Sequence, residues 1–90
     1  MKESYKILIV DDHPMVSFGT KGVLDQIDNV FVVGIASTGE ACMKYVVEYT
    51  PNLVLLDYNL PDQSGYELTK QINSLNADIQ VVIFTGIHFM

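Results

Sequence analysis

Three aspartates and a threonine stand directly after apolar runs of the chain. Asp11 and Asp12 follow ILIV, Asp57 follows LVLL, and Thr85 follows VVIF. A buried carboxylate cluster without compensation returns a proton to at least one of its members. A hard divalent cation removes that repulsion, and Mg²⁺ typically binds one or two carboxylates together with phosphate oxygens. These residue types therefore indicate a Mg²⁺ site that handles a phosphoryl group, to which Thr85 could donate a hydrogen bond.

The elements that must position these residues follow from the apolar pattern. Short apolar runs predict buried strands over residues 6–10 (β1), 30–36 (β2), 53–56 with Asp57 at the end (β3) and 81–84 (β4). Amphipathic stretches separate them, and such alternation builds a parallel sheet covered on both faces. We therefore expect an α/β fold with an open parallel sheet, and for its strand order we assume the flavodoxin-like arrangement 2-1-3-4.

Helix signals lie between the predicted strands. Pro14 favours the start of the first helix, since its missing N–H costs nothing in the first turn. Capping-box spacing occurs twice, at Ser37 with Glu40 and at Ser64 with Glu67. The first helix is predicted to have one apolar face, formed by Val16, Val23, Leu24 and Ile27.

The strand order brings the polar residues together. All strands of a parallel sheet end at one edge, and ligands bind there at the switch point between β1 and β3. Asp11 and Asp12 alone could simply favour the positive end of a helix. Convergence with Asp57 and Thr85 makes the metal site the preferred interpretation.

Composition limits the classes of partner. The net charge is −6, and the basic residues are five lysines with no arginine. This surface argues against nucleic-acid contact by this stretch of chain and against an anionic membrane, because both depend on Lys and Arg. The apolar runs are far below the roughly 18 residues of a membrane span, and no signal peptide is apparent. A cytoplasmic location is expected.

Three segments carry a family resemblance. ILIVDDHPMV, LVLLDYNLPDQSGYEL and VVIFTG, in that order, resemble the receiver domain of two-component response regulators. DDHP followed by Gly19 is most similar to the subgroup with a C-terminal helix-turn-helix of the LuxR/NarL type. The resemblance extends over residues 1–90. It implies a signalling domain, not an enzyme, that takes a phosphoryl group from a sensor histidine kinase and relays the change to its own or a partner's output domain.

The resemblance also assigns roles by position. Asp57 would be the phosphoacceptor, and the site would itself assist phosphotransfer and autodephosphorylation. Asp12 and Asp57 would bind Mg²⁺ directly, Asp11 through water, and Asn59 through its backbone carbonyl. The loop after β3 would be shaped by two residues, Pro61 and Gly65.

Further roles concern the end of β4. Thr85 and Gly86 would sense the phosphoryl group and couple it to surface shape. Asn59 and Ile87 would tune the lifetime of the acyl phosphate by controlling the access of water. An apolar Ile87 predicts slow self-hydrolysis.

The resemblance further implies a fifth strand, with flanking helices and a lysine that pairs with the phosphoryl group. These ninety residues do not reach it. We therefore expect a receiver that is incomplete at its C-terminus, with no output domain. β4 would be an exposed apolar edge, which favours self-association or a homodimer.

Other functions remain open from the residues alone. A phosphohydrolase with an aspartate nucleophile after β1 would have D-x-D, where this chain has D-D-H. An FMN binder needs a Ser/Thr/Gly-rich loop after β1, which DDHPMVS is not. A receiver-like module that works by interaction alone, without phosphorylation, is the main alternative.

Several polar or aromatic residues have plainer interpretations. His13 is expected to start a helix rather than to act as a ligand or phosphodonor, and a zinc site with His88 is not favoured. Ser64 is expected to be a helix cap. Core or packing positions are predicted for Cys42, Tyr45 and Tyr49.

Overall fold

The structure is a computed structural model that describes residues 4–84. Its strands are β1 (Tyr5–Val10), β2 (Val30–Ala36), β3 (Leu53–Asp57) and β4 (Gln80–Phe84). Its helices are α1 (Pro14–Leu24), α2 (Gly39–Tyr49) and α3 (Gly65–Leu75). The predicted strand bounds agree with these to within one residue.

The strands form one parallel sheet of order β2-β1-β3-β4. This confirms the predicted flavodoxin-like order. Leu8, Val10, Val54 and Leu56 are buried on one face of the sheet, against α2 and α3. Ile7 and Ile9 alternate with them, so they point to the opposite face, on the side where α1 contacts β1 and β2.

α2 and α3 complete the main core. They contribute Cys42, Val46, Leu68 and Ile72, each at most 2% exposed. Cys42 is thus a core residue as predicted, and burial raises the pKa of its thiol to about 12. The buried strand runs and these helical faces hold the carboxyl ends of β1 and β3 side by side.

Helix starts agree with the sequence signals at two of three positions. Pro14 is the first residue of α1, and the Ser64 hydroxyl accepts a hydrogen bond from the backbone N–H of Glu67. The predicted cap at Ser37 is wrong by one residue. Thr38 is the N-cap of α2, because its extended backbone lets its hydroxyl accept from the N–H of Ala41 at 3.0 Å.

The predicted apolar face of α1 is also wrong. The helix ends at Leu24, so Ile27 lies beyond it, and Val23 is 64% exposed. The buried residue of α1 is Ser17, whose hydroxyl donates to the backbone carbonyl of Asp11. Helical spacing shows which side chains share a face but not which face meets the sheet.

β4 is the outer strand on its side of the sheet described for residues 4–84, where it pairs with β3. Val82 and Ile83 are 45% and 40% exposed. This agrees with the expected apolar edge. Within the same residues, none of the helices is long and apolar enough to cross a membrane.

Candidate functional site

Two strand ends and the turn after β1 bring three carboxylates together. Asp11 follows β1, and its N–H donates to the carbonyl of Ala36 at 2.9 Å, which extends the pairing with β2 by one residue. Asp57 is the last residue of β3. One side-chain ligand atom each from Asp11, Asp12, His13 and Asp57 lies within 4.8 Å of the others.

The two inner carboxylates are almost fully buried. Asp11 is 2% exposed and Asp57 is 1% exposed, whereas the Asp12 side chain is 37% exposed. The backbone N–H of His13 donates to Oδ1 of Asp11 at 2.9 Å, and the N–H of Asn59 donates to Oδ1 of Asp57 at 3.1 Å. Each Oδ1 atom is therefore held by the backbone of its own turn.

The second oxygen of each inner carboxylate has no such support. Oδ2 of Asp11 and Oδ2 of Asp57 are buried without a hydrogen-bond partner among residues 4–84. Burial raises the pKa of Asp57 above its ordinary value, and the nearby Asp11 charge adds to this rise, although the Asn59 N–H opposes it. Buried unpaired oxygens are costly, so the arrangement favours a cation that both carboxylates can bind.

The ring of His13 belongs to this cluster, which the sequence did not indicate. The backbone of His13 is the N-cap of α1, as expected for a residue that starts a helix. Its Nδ1 atom, however, lies 2.7 Å from Oδ1 of Asp11 and 3.1 Å from Oδ1 of Asp12. The hydrogen bond to Asp11 raises the pKa of the imidazole. The sequence signal that could have indicated this contact is the position of His13 two residues after Asp11, because a turn can bring two such residues into contact.

The loop between β3 and α3 is folded tightly over the end of β3. Asn59 and Ser64 form an isolated antiparallel bridge, and the N–H of Gly65 donates to the carbonyl of Tyr58 at 2.7 Å. A Cβ atom on Gly65 would lie 2.9 Å from Cα of Tyr58. Position 65 therefore requires a residue without a side chain. Pro61 lies exposed in the same loop.

Residues 7–88 match the family described as "Response regulator receiver domain". The chain belongs to this family. The receiver is 40% identical over 80 residues to the response regulator GacA of Pseudomonas aeruginosa, covering 89% of this chain and 37% of that protein. It is 33% identical over 84 residues to the nitrate/nitrite response regulator NarL of Escherichia coli, covering 93% of this chain and 39% of that protein.

Solved structures agree with this assignment. A LuxR-family response regulator from Aurantimonas sp. SI85-9A1 superposes with a TM-score of 0.87 at 29% identity, covering 96% of this chain and 61% of that one. The non-phosphorylated receiver domain of the stress response regulator RcsB from Escherichia coli superposes with a TM-score of 0.85 at 28% identity. The match covers 92% of this chain and 66% of that one. By sequence, the aligned part of this chain spans less than two fifths of the length of GacA and of NarL.

Among residues 4–84, no lysine forms an ion pair with the carboxylate cluster. Lys21, in α1, instead forms an ion pair with Asp25, just after the helix, with 2.7 Å between Nζ and Oδ2. Lys6 donates through Nζ to the carbonyl of Tyr49 near the end of α2. In this part of the chain, the basic side chain in contact with the cluster is that of His13.

A second residue that the sequence did not indicate is Asp62, in the loop after β3. Its carboxylate accepts hydrogen bonds from the backbone N–H groups of Gly39 at 2.8 Å and Glu40 at 3.1 Å. The Gly39 hydrogen bond holds the pKa of Asp62 below its ordinary value. The receiver therefore anchors this loop on the positive end of α2.

The predictions for Thr85, Gly86, Ile87 and His88 fall outside the described residues. Lys2 lies outside them as well. Of the positions expected to form the site, the structure brings together Asp11, Asp12 and Asp57, with Asn59 hydrogen-bonded to Asp57.

Proposed function

We propose that this receiver accepts a phosphoryl group on Asp57 from a sensor histidine kinase, with Mg²⁺ bound beside it. The observation that carries the proposal is the Oδ2 atom of Asp57. It is buried at a strand end, has no hydrogen-bond partner among residues 4–84, and lies beside a second buried carboxylate. A desolvated, unpaired carboxylate oxygen is a suitable nucleophile once a cation offsets the repulsion from Asp11.

The residues present fit a hard divalent cation. Asp12 and Asp57 would bind Mg²⁺ directly, Asp11 through water, and Asn59 through its backbone carbonyl. Oxygen ligands from few carboxylates match the preference of Mg²⁺, which keeps several waters and binds phosphate oxygens. When bound, Mg²⁺ would neutralise the charge that develops on the transferred phosphoryl oxygens.

The transfer itself uses groups of the chain. An oxygen of Asp57 attacks phosphorus, a P–O bond forms, and the P–N bond to the kinase histidine breaks. The leaving imidazole nitrogen keeps the electron pair and takes up a proton. The backbone N–H of Asn59 donates to Oδ1 of Asp57 and so fixes the orientation of the attacking carboxylate. Thr85 and Gly86 would then respond to the phosphoryl group.

The relay to an output domain is part of the same proposal. GacA and NarL are response regulators more than twice as long as the aligned receiver, and one RcsB structure is described as an RcsB–DNA complex. We infer an output domain of the DNA-binding LuxR/NarL type, in a cytoplasmic signalling protein. The output domain, not the acidic receiver, would contact DNA.

A phosphorylation assay tests this function. The protein is incubated with Mg²⁺ and acetyl phosphate, and intact mass reports whether one phosphoryl group is gained. Asp57→Asn should abolish the gain, and so should removal of Mg²⁺ with EDTA. Asp78→Asn is the matched control, because Asp78 is an exposed aspartate. Absence of phosphoprotein from the wild type, or equal labelling of Asp57→Asn, would favour a receiver-like module that works by interaction alone.

The lifetime of the phosphorylated state tests the role given to Ile87. An apolar side chain near the acyl phosphate should limit the access of water, so the wild type should lose phosphate slowly. Ile87→Glu should lose it faster after the donor is removed. Loss from the variant at an equal or lower rate would contradict the assignment.

A further inference from the structure

The side chain of His13 does not cap the helix that it starts. As the N-cap of α1 it forms no side-chain cap hydrogen bond. Its Nδ1 atom instead lies 2.7 Å from Asp11, 3.1 Å from Asp12 and 3.5 Å from Oδ2 of Asp57. One ring nitrogen is thus within reach of all three carboxylates, and the ring is only half-exposed.

Two buried oxygens show that the ring alone does not complete this cluster. Oδ2 of Asp11 and Oδ2 of Asp57 keep no hydrogen-bond partner among residues 4–84 although His13 is adjacent. The short contact of Nδ1 is with Oδ1 of Asp11 at 2.7 Å, and Nδ1 lies no closer than 3.5 Å to Oδ2 of Asp57. The free oxygens therefore point to a ligand with several coordination positions, which is a metal ion.

The spacing of the ligand atoms suits a nitrogen ligand as well as oxygen ligands. Ligands about 2.0–2.2 Å from one ion lie roughly 3.0–3.5 Å apart along a tetrahedral or octahedral edge. Two of the three distances from Nδ1, 3.1 Å to Asp12 and 3.5 Å to Asp57, fall in that range, and the distance to Asp11 is shorter at 2.7 Å. All four ligand atoms lie within 4.8 Å of one another.

We propose that Nδ1 of His13 is a metal ligand, which gives the pocket a second specificity for borderline transition cations, Zn²⁺ foremost. The inference rests on the proposed function in one respect, that the three carboxylates hold a divalent cation. Imidazole suits Zn²⁺, whereas Mg²⁺ takes oxygen ligands. Zn²⁺ held by four side chains would have no open position for a phosphoryl oxygen, so it would oppose phosphorylation.

Metal titrations of the metal-free protein test this assignment. Calorimetry should show one Zn²⁺ bound at least about tenfold more tightly than Mg²⁺, because an imidazole ligand suits Zn²⁺ and Mg²⁺ takes oxygen ligands. His13→Phe keeps a ring of similar size without the ligand atom. This variant should bind Zn²⁺ about tenfold or more weakly, a loss of about 1.4 kcal/mol of binding free energy. Its affinity for Mg²⁺ should stay within about twofold of that of the wild type. Tyr66→Phe, at an exposed position of α3, is the control and should change neither.

Cobalt gives a direct view of the ligand set. Co²⁺ in the wild type should show the intense visible absorption of a four-coordinate site, and His13→Phe should lose that intensity. Unchanged Zn²⁺ binding and Co²⁺ spectra in His13→Phe would overturn the proposal while leaving the Mg²⁺ site intact. Loss of both metals in that variant would overturn it too, because the ring would then support the fold. Failure of Asp57→Asn to weaken either metal would instead contradict the proposed Mg²⁺ site itself.

Discussion

The carboxylate of Asp62 accepts a hydrogen bond from the backbone N–H of Gly39 at 2.8 Å, which joins the loop after β3 to the first residue of α2. A further bond from the N–H of Glu40 strengthens this anchor. The first N–H groups of a helix have no partner within the helix, so an acceptor from elsewhere stabilises both parts. The same loop carries Asn59, which is hydrogen-bonded to Asp57. Asp62 therefore helps to hold the candidate site in place.

Removal of the Asp62 charge should destabilise the receiver in a pH-dependent way. Asp62→Ala should lower the free energy of unfolding at neutral pH by about 1 kcal/mol, the usual effect of losing a helix cap. The folded-state pKa of Asp62 is below its ordinary value of 3.8, so its contribution is complete above that pH. It is lost as the pH falls through the lowered folded-state pKa. Urea unfolding of both proteins between about pH 3 and 7 measures the difference. A constant difference across that range would contradict the prediction.

Neutralising Asp57 should stabilise the metal-free receiver. Burial raises the pKa of Asp57 in the folded state, so the folded protein loses stability as the pH rises from about 3.8 through the raised value. Asp57→Asn avoids this loss and supplies an N–H donor near the unpaired oxygen of Asp11. We expect roughly 1–3 kcal/mol of added stability at neutral pH in EDTA.

Mg²⁺ provides the complementary measurement for the same variant. It should raise the unfolding midpoint of the wild type and have a much smaller effect on Asp57→Asn, because a ligand stabilises only the state that binds it. Asp78→Asn, at an exposed position, should behave as the wild type in both solutions. Equal Mg²⁺ effects on wild type and Asp57→Asn would show that Asp57 is not part of the cation site.

A methyl group at position 65 should disturb the loop after β3. Its Cβ would lie 2.9 Å from Cα of Tyr58 and 3.2 Å from the carbonyl of Asp57, and backbone atoms cannot move aside cheaply. Gly65→Ala should cost about 1–3 kcal/mol in the free energy of unfolding. Gly22→Ala is the control, since a Cβ on that helical glycine meets nothing within 4 Å. It should stabilise α1 by up to about 1 kcal/mol. Similar effects of the two substitutions would argue against a close approach at Gly65.

The edge of β4 should mediate self-association of the ninety-residue chain. Val82 is 45% exposed on the outer strand of the described sheet, where unpaired backbone groups can bind another strand. Sedimentation should show a mass that grows with protein concentration. Val82→Lys should reduce it, because charge on an edge strand opposes pairing. A monodisperse monomer at high concentration would rule this out for the wild type.

The sequence by itself determined the strands and the edge at which Asp11 and Asp57 meet, whereas their order was assumed from the flavodoxin-like arrangement. Apolar runs are local patterns, and parallel strands alternating with helices must all end on one side. Local turn chemistry also located the cap at Ser64. The family motifs then linked this edge to phosphoryl transfer.

Only the tertiary structure decided which atoms of the site lack partners. Three features depend on the path of the loops. They are the burial of Oδ2 of Asp57, the direction of the His13 ring, and the hydrogen bond between Asp62 and Gly39, which are 23 residues apart. Periodicity and capping preferences describe neighbours along the chain. The contacts of a side chain across a turn depend on how separate elements pack, and no local pattern records that.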